Sequence, residues 1–165
     1  MSKAELNQDF FELGDRTSIV CADPATTEIV RNSLKDLGFK MHFADSEDGA
    51  LDRIRYTQYS CIVIHENFAG SILQTNAVIQ HLAPLPMNQR RASFICLIGE
   101  SFNTLDAMQA FAQSVHVVVN PADLPNLTAI LKKGLAEFEM AYRVYRISTD
   151  SQADRRQTSR RASDR

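Results

Sequence analysis

Four short stretches carry the residues best suited to chemistry: Cys21-Ala22-Asp23, His65-Glu66-Asn67, Gly99-Glu100-Ser101 and Asn120-Pro121. Each lies at the end of a short apolar run. The pair His65-Glu66 could accept a proton or a phosphoryl group, because a carboxylate beside an imidazole can tune and orient it. Yet no Ser or Cys nucleophile is placed against it, and neighbouring strand residues point to opposite faces, so a hydrogen-bonded structural histidine is the simpler reading. His42, His81 and His116 share no metal-ligand spacing and read as surface or rim residues. Cys21, Cys61 and Cys96 each sit inside an apolar run with no CxxC pattern, which fits buried free thiols rather than a disulfide framework or a zinc site. No metal or cofactor is expected.

The elements that position these stretches alternate along the chain. Ser18 to Ala22 is a short run without helical period, closed by Asp23-Pro24, where proline suits the first turn of a helix. Ile29, Val30, Leu34 and Leu37 gather on one helical face, and Gly38 stands where a left-handed C-terminal residue is wanted. Met41 to Ala44 predicts a second strand, Ser46 and Asp48 offer caps to a helix through Ala50, Leu51 and Ile54, and Cys61 to Ile64 predicts a strand covered on both faces. A helix through Ile72, Leu73, Ile79 and Leu82 follows, then the proline-bearing loop 83–91, the strand Phe94–Ile98, a helix through Leu105, Met108 and Phe111, and a strand over Val115–Val119. The last helix is expected to open near Asp123 and run to about Ile147. Strands alternating with helices imply parallel pairing with right-handed crossovers, hence an α/β doubly wound sheet whose functional crevice lies beyond the carboxyl ends of the strands. All four stretches fall there.

The segment IVCADPATTEIVRNSLKDLGFKMHFADSEDGAL resembles the opening of a bacterial response-regulator receiver domain, and residues 17–135 are covered by the likeness. The resemblance implies a CheY-like, flavodoxin-like five-stranded sheet in the order 2-1-3-4-5, here with an extended C-terminal helix. It also implies a phosphorylation pocket: two metal-holding carboxylates after the first strand, a phosphoacceptor aspartate after the third, a hydroxyl residue after the fourth and a lysine after the fifth. Matched residue by residue, the carboxylates fall on Cys21 and Ala22, with Asp23 next to them, the acceptor on His65 with Glu66 beside it, the hydroxyl on Ile98 or Gly99, and the lysine on Asn120. A thiol and a methyl group offer magnesium no oxygen ligand, and without a cation or an ammonium little neutralises a transferring phosphoryl group. Aspartyl phosphorylation is therefore expected to fail, which points to a degenerate, phosphorylation-independent pseudo-receiver, a bacterial signalling module and not an enzyme. The stretches HENFAG, LPMNQRRASFICLIGESFNTLDAMQAF, VHVVVNPAD and YRVYRI also resemble a group of uncharacterised bacterial receiver-like proteins.

Two further features bear on partners. Phe138, Tyr142 and Tyr145 form an aromatic stripe at i, i+4 and i+7 with Arg143 and Arg146 interleaved. They either fold against Phe10-Phe11-Glu12-Leu13 or offer an interface to a protein partner or a second copy of the chain. The tail is the other feature: residues 148–165 hold five of the 18 basic residues and three of the 20 acidic ones, so they carry +2 while residues 1–147 carry −4. With nothing apolar larger than alanine, the tail reads as disordered. Its Arg155, Arg156, Arg160 and Arg161 resemble the RxxxR motif of cyclic-di-GMP-binding PilZ domains, and guanidinium forks suit phosphate and guanine edges; cyclic-di-GMP is thus the alternative ligand. The acidic domain disfavours nucleic acid.

At 165 residues and 44% hydrophobic content the chain supports one domain, divided as an N-terminal extension 1–16, the pseudo-receiver 17–147 and the tail 148–165. No run reaches a membrane span and the N-terminus lacks signal-peptide character, so a cytoplasmic location is expected.

Overall fold

The computed structural model describes residues 11–163, with side chains for residues 11–145. The apolar runs form strands β1 Thr17–Cys21, β2 Lys40–Phe43, β3 Cys61–His65, β4 Phe94–Ile98 and β5 Val117–Val119. They pair in parallel as one sheet in the order β2-β1-β3-β4-β5, as expected. The crossovers carry helices α1 Pro24–Asp36, α2 Glu47–Tyr56, α3 Ala77–Leu82, α4 Met87–Arg90 and α5 Ala107–Ala112, and the chain closes with α6 Leu127–Ser163.

Strand period divides the core in two. Val20, Val63, Phe94, Cys96, Ile98 and Val119 face α1 and α6, where Val30, Leu34, Leu127 and Leu131 meet them. Their neighbours in sequence, Ile19, Ile62, Ile64, Ile95, Leu97 and Val118, face the other side, where Ala50, Val78, Leu82 and Ala110 cover them. With both faces dry, the strands need apolar residues at every position, which is why they read as continuous runs instead of alternating ones. The three cysteines are buried in this core, and burial pushes the Cys21 and Cys61 thiols up to about 12. Gly134 on α6 lets that helix approach the sheet: a Cβ there would stand 2.8 Å from Phe94 Cζ.

Several elements differ from expectation. Ile72 and Leu73 precede α3, which opens only at Ala77 under the Asn76 cap. Leu105 lies outside α5 with a positive φ of 64°, because α5 starts after Asp106, whose carboxylate accepts from Met108 and Gln109 N–H. The last helix begins at Leu127, after a 3-10 turn at Pro121–Asn126, and its backbone stays helical to Ser163 instead of ending near Ile147. Propagation adds one hydrogen bond for each residue ordered, and Ala, Gln and Arg are good helix formers, so a tail with nothing apolar larger than alanine can extend a helix that packing has already nucleated.

Two histidines expected at the surface are enclosed. His42 on β2 is 9% exposed; its Nδ1 lies 2.7 Å from Tyr59 Oη and its ring stacks on Phe11 at 4.1 Å. Phe11 therefore docks beside the edge strand and not on the last helix, and Leu13 is fully exposed; Phe10 lies outside the described residues. His116 stacks on Phe94 at 5.6 Å and meets Phe138 edge-on at 4.8 Å. Its Nδ1 accepts from Ile95 N–H at 3.0 Å, so the neutral ring carries its proton on Nε2, facing Tyr142 Oη at 3.5 Å.

Burial, with help from the nearby Arg90 charge, lowers the His116 pKa from 6.5 to about 4. The unfolded chain then binds a proton that the folded chain refuses, so stability is whole above pH 6.5 and falls as the pH drops toward 4, by up to about 3 kcal/mol for this group. Chemical denaturation of the chain and of His116→Gln across that window should show a smaller pH-dependent loss in the variant.

Candidate functional site

The carboxyl ends of the strands are occupied by the chain's own polar groups. At the end of β1, Cys21 is fully buried with its thiol held neutral, and Ala22 is 9% exposed. The one carboxylate here, Asp23, is the cap of α1: its Oδ2 accepts from Thr26 N–H at 3.1 Å, with Pro24 following at the first turn. Partial desolvation opposes ionisation of Asp23, but its hydrogen bonds from Thr26 and the proximity of His65 hold its pKa below the usual value.

His65 closes β3 and is partly exposed, with Nδ1 accepting from Asn67 N–H at 3.1 Å. In the neutral ring that nitrogen is the unprotonated one, so the lone pair a phosphoryl or proton acceptor would use is already engaged. Glu66 is the more telling residue. It is 5% exposed, its Oε1 accepts from Glu100 N–H at 2.9 Å and its Oε2 from Ser101 Oγ–H at 2.9 Å. The carboxylate lies against Gly99, where an added Cβ would stand 2.4 Å from Glu66 Cδ. Gly99 is thus required by close approach, and its φ lies outside the left-handed region.

Asn120, after β5, donates through Nδ2 to Phe102 O at 2.9 Å and to Glu100 O at 3.4 Å, while its Oδ1 accepts from Ala122 N–H at 3.0 Å. Thr104 Oγ1 accepts from Asn120 N–H at 2.9 Å and its hydroxyl bonds the Asp123 carboxylate. Sequence reading passed over Asn76. It is fully buried, donates to His65 O at 3.1 Å and Glu66 O at 3.3 Å, and accepts from Val78 and Ile79 N–H. An Asn directly before the apolar run Ala-Val-Ile is a cap signal that could have found it. The structure thus brings Glu66, Gly99 and Asn120 to one loop, and places Asp23 and His65 at its neighbouring edge. Among the described residues no group of three His, Cys, Asp or Glu is placed to hold a metal ion, and no helix is long and apolar enough to cross a membrane.

The candidate partner residues sort differently. Phe138 is buried at 9% exposure and Tyr142 packs on it at 4.7 Å, so these rings belong to the chain's own core and not to a free interface. The guanidinium of Arg91 lies 3.3 Å from the Tyr145 ring centre. Arg143 is exposed, and the side chains of Arg146, Arg155, Arg156, Arg160 and Arg161 lie outside the described residues. Exposed apolar residues nearby are Leu105, Met108 and Phe111 around α5, and Met140 and Val144 on α6.

Gly99→Ala should destabilise the chain by about 1–3 kcal/mol through overpacking against Glu66. The double variant Gly99→Ala/Glu66→Ala should lose less than the sum of the two single changes, a coupling that denaturation of all four proteins measures.

No family model matches the chain and no curated protein matches it. Solved structures do. NtrX from Brucella abortus superposes with a TM-score of 0.58 at 15% identity, over 79% of this chain and 28% of that one. A response regulator from Thermotoga maritima gives 0.55 at 14% identity, over 74% and 98%. A CheY-like response-regulator receiver domain from Methylobacillus flagellatus gives 0.53 at 22% identity, over 73% and 98%. The chain therefore has the fold of the response-regulator receiver domain, continued by a long last helix.

Proposed function

We infer that this chain is a non-enzymatic, phosphorylation-independent signalling module that works by binding another protein through the surface around β4, β5, α5 and α6. The observation that carries this reading is the engagement of the crevice: Glu66, Asn120, Thr104 and Asp23 each use their polar atoms on the chain's own loops and caps. A phosphoryl transfer site needs preorganised charge aimed at the incoming group, whereas these groups are aimed at the chain's own backbone and side chains.

The binding surface is supported by what lies beside β5. Met108 is 75% exposed and Phe111 79% exposed, on a six-residue helix that turns only Ala110 fully inward. Between α5 and α6 runs a cavity of about 370 Å³, with Leu105 and Ala110 on one wall and Ala141 and Tyr142 on the other. Lys133 and Glu137 from α6 and Asp106, the cap of α5, stand along it. An apolar strip with mixed charges at its edge is the make-up of a protein interface, where a buried apolar centre is ringed by polar groups.

Incubation with acetyl phosphate and magnesium followed by intact-mass measurement should show no phosphorylated species; a stoichiometric phosphoryl adduct would sink the reading. The pair Met108→Glu and Phe111→Glu should leave the thermal midpoint within a few degrees, since both side chains are mostly exposed, and should abolish partner capture or self-association measured by cross-linking and light scattering. Unchanged binding in that variant would move the interface elsewhere.

A further inference from the structure

The opposite pole of the sheet holds a second cavity, of about 420 Å³, at the amino ends of β3 and β4. Its origin is visible in the chain. The crossover from β3 to β4 is broken into short pieces: α3 ends at Leu82, Pro84 and Pro86 follow, and α4 spans only Met87–Arg90. The cavity opens over Ile62 and Ile95 beside this proline-broken path. Tyr59, Ile62, Leu82 and Ile95 form the floor, all buried.

The ionisable side chains around this floor are all basic ones. Arg55 from the end of α2, His81 from α3 and Arg90 from α4 line the cavity with Gln58, Gln89 and Ser93, and no Asp or Glu lines it. The strand-end cavity near Asp23 contrasts with it, since there Arg31 and Arg53 are offset by Asp23, Glu28 and Asp45. Several of the donors are held in place. Arg90 Nη2 donates to Ser114 O at 2.7 Å, which fixes one edge of its guanidinium. Ser93 Oγ accepts from Gln58 Nε2 at 2.9 Å and donates to Tyr59 O at 2.6 Å. The carboxylate of Asp52 lies 3.5 Å from Arg55 Nη1 but outside the cavity lining.

We propose that this cavity binds a small organic anion with an apolar body, its charged group between Arg55 and Arg90 and its apolar part on Tyr59, Ile62, Leu82 and Ile95. The volume is in the range of small-molecule sites, which combine an apolar lining with a few convergent polar groups, and a guanidinium fork matches a carboxylate or phosphate.

The test is an amide-resolved NMR titration of the full chain with three probes: indole-3-acetate, its neutral analogue indole-3-acetamide, and inorganic phosphate. Saturable shifts at Ile62, Leu82, Ser93 and Ile95 are expected with indole-3-acetate, much weaker ones with the amide, and none with phosphate. Arg55→Gln should weaken indole-3-acetate binding by about tenfold, the scale of one lost charge-assisted contact. Arg55 is an exposed side chain, so that variant keeps its fold even if Arg90→Gln, which also loses the Ser114 bond, does not. Equal binding of the amide, or affinity untouched by Arg55→Gln, would overturn the anion assignment. Phosphate producing the same shifts would overturn the role of the apolar floor. Absent shifts at these amides, or shifts centred on Asp23 and Asn67, would overturn the site itself.

Discussion

The structure turns on a requirement met at the carboxyl ends of the strands: polar groups removed from water must find partners within the chain. A sheet buried on both faces ends in loops whose N–H and C=O groups have lost their ladder, and here side chains take them up. Glu66 takes the Glu100 N–H and the Ser101 hydroxyl, Asn120 takes the carbonyls of Glu100 and Phe102, and Asn76 takes those of His65 and Glu66. The loop from Gly99 to Asp106 is thereby tied to β3 on one side and to the end of β5 on the other. Gly99 belongs to the same arrangement, because a buried carboxylate can reach those donors only where no Cβ stands in the way.

This network ties local capping to tertiary order. Asn76, Asp106 and Asn120 each cap a helical turn and so fix where α3, α5 and the Pro121 turn begin. Asn76 and Asn120 also bond loops distant in sequence, so each joins the start of a helix to the end of a strand. Shortened helices follow: with Asn76 and Asp106 as caps, Ile72, Leu73 and Leu105 are left in turns, and Leu105 takes a left-handed φ that a leucine adopts at a cost.

The strands were legible because a parallel sheet covered on both faces demands apolar, often β-branched runs, and Cys61–His65 and Phe94–Ile98 announce themselves on that basis. Asp23-Pro24 was legible as a helix opening for the same local reason that makes it work, whereas the last helix, expected to open near Asp123, begins at Leu127 after a turn capped by Asn120. What could not be read was every contact assembled from separate elements. His116 looks like a polar residue before a strand, and only the arrival of Phe94 from β4 and of Phe138 and Tyr142 from α6 encloses it. The stripe Phe138, Tyr142, Tyr145 was correctly seen as apolar, yet its partners, His116 and Arg91, lie on elements no spacing rule connects to it. The burial of Glu66 likewise carried no signal, since neither it nor the role of Gly99 leaves a mark in local sequence.

The last helix shows how packing inside the chain and the proposed docking outside it are related. Phe138 and Tyr142 point to the sheet, while Met140 and Val144 are 75% and 69% exposed. Successive helical residues turn by about 100°, so Met140 lies roughly opposite Phe138 and the helix carries apolar groups on two faces where a surface helix needs one. α5 has the same surplus in Met108 and Phe111. The core accounts for the inner residues of both helices, while Met108, Phe111 and Met140 stay mostly exposed. A second body that covers them is the use proposed above for side chains that water alone would not favour, and it would stand beside β5, on the flank where Glu66 and Asn120 bond the loop from Gly99 to Asp106.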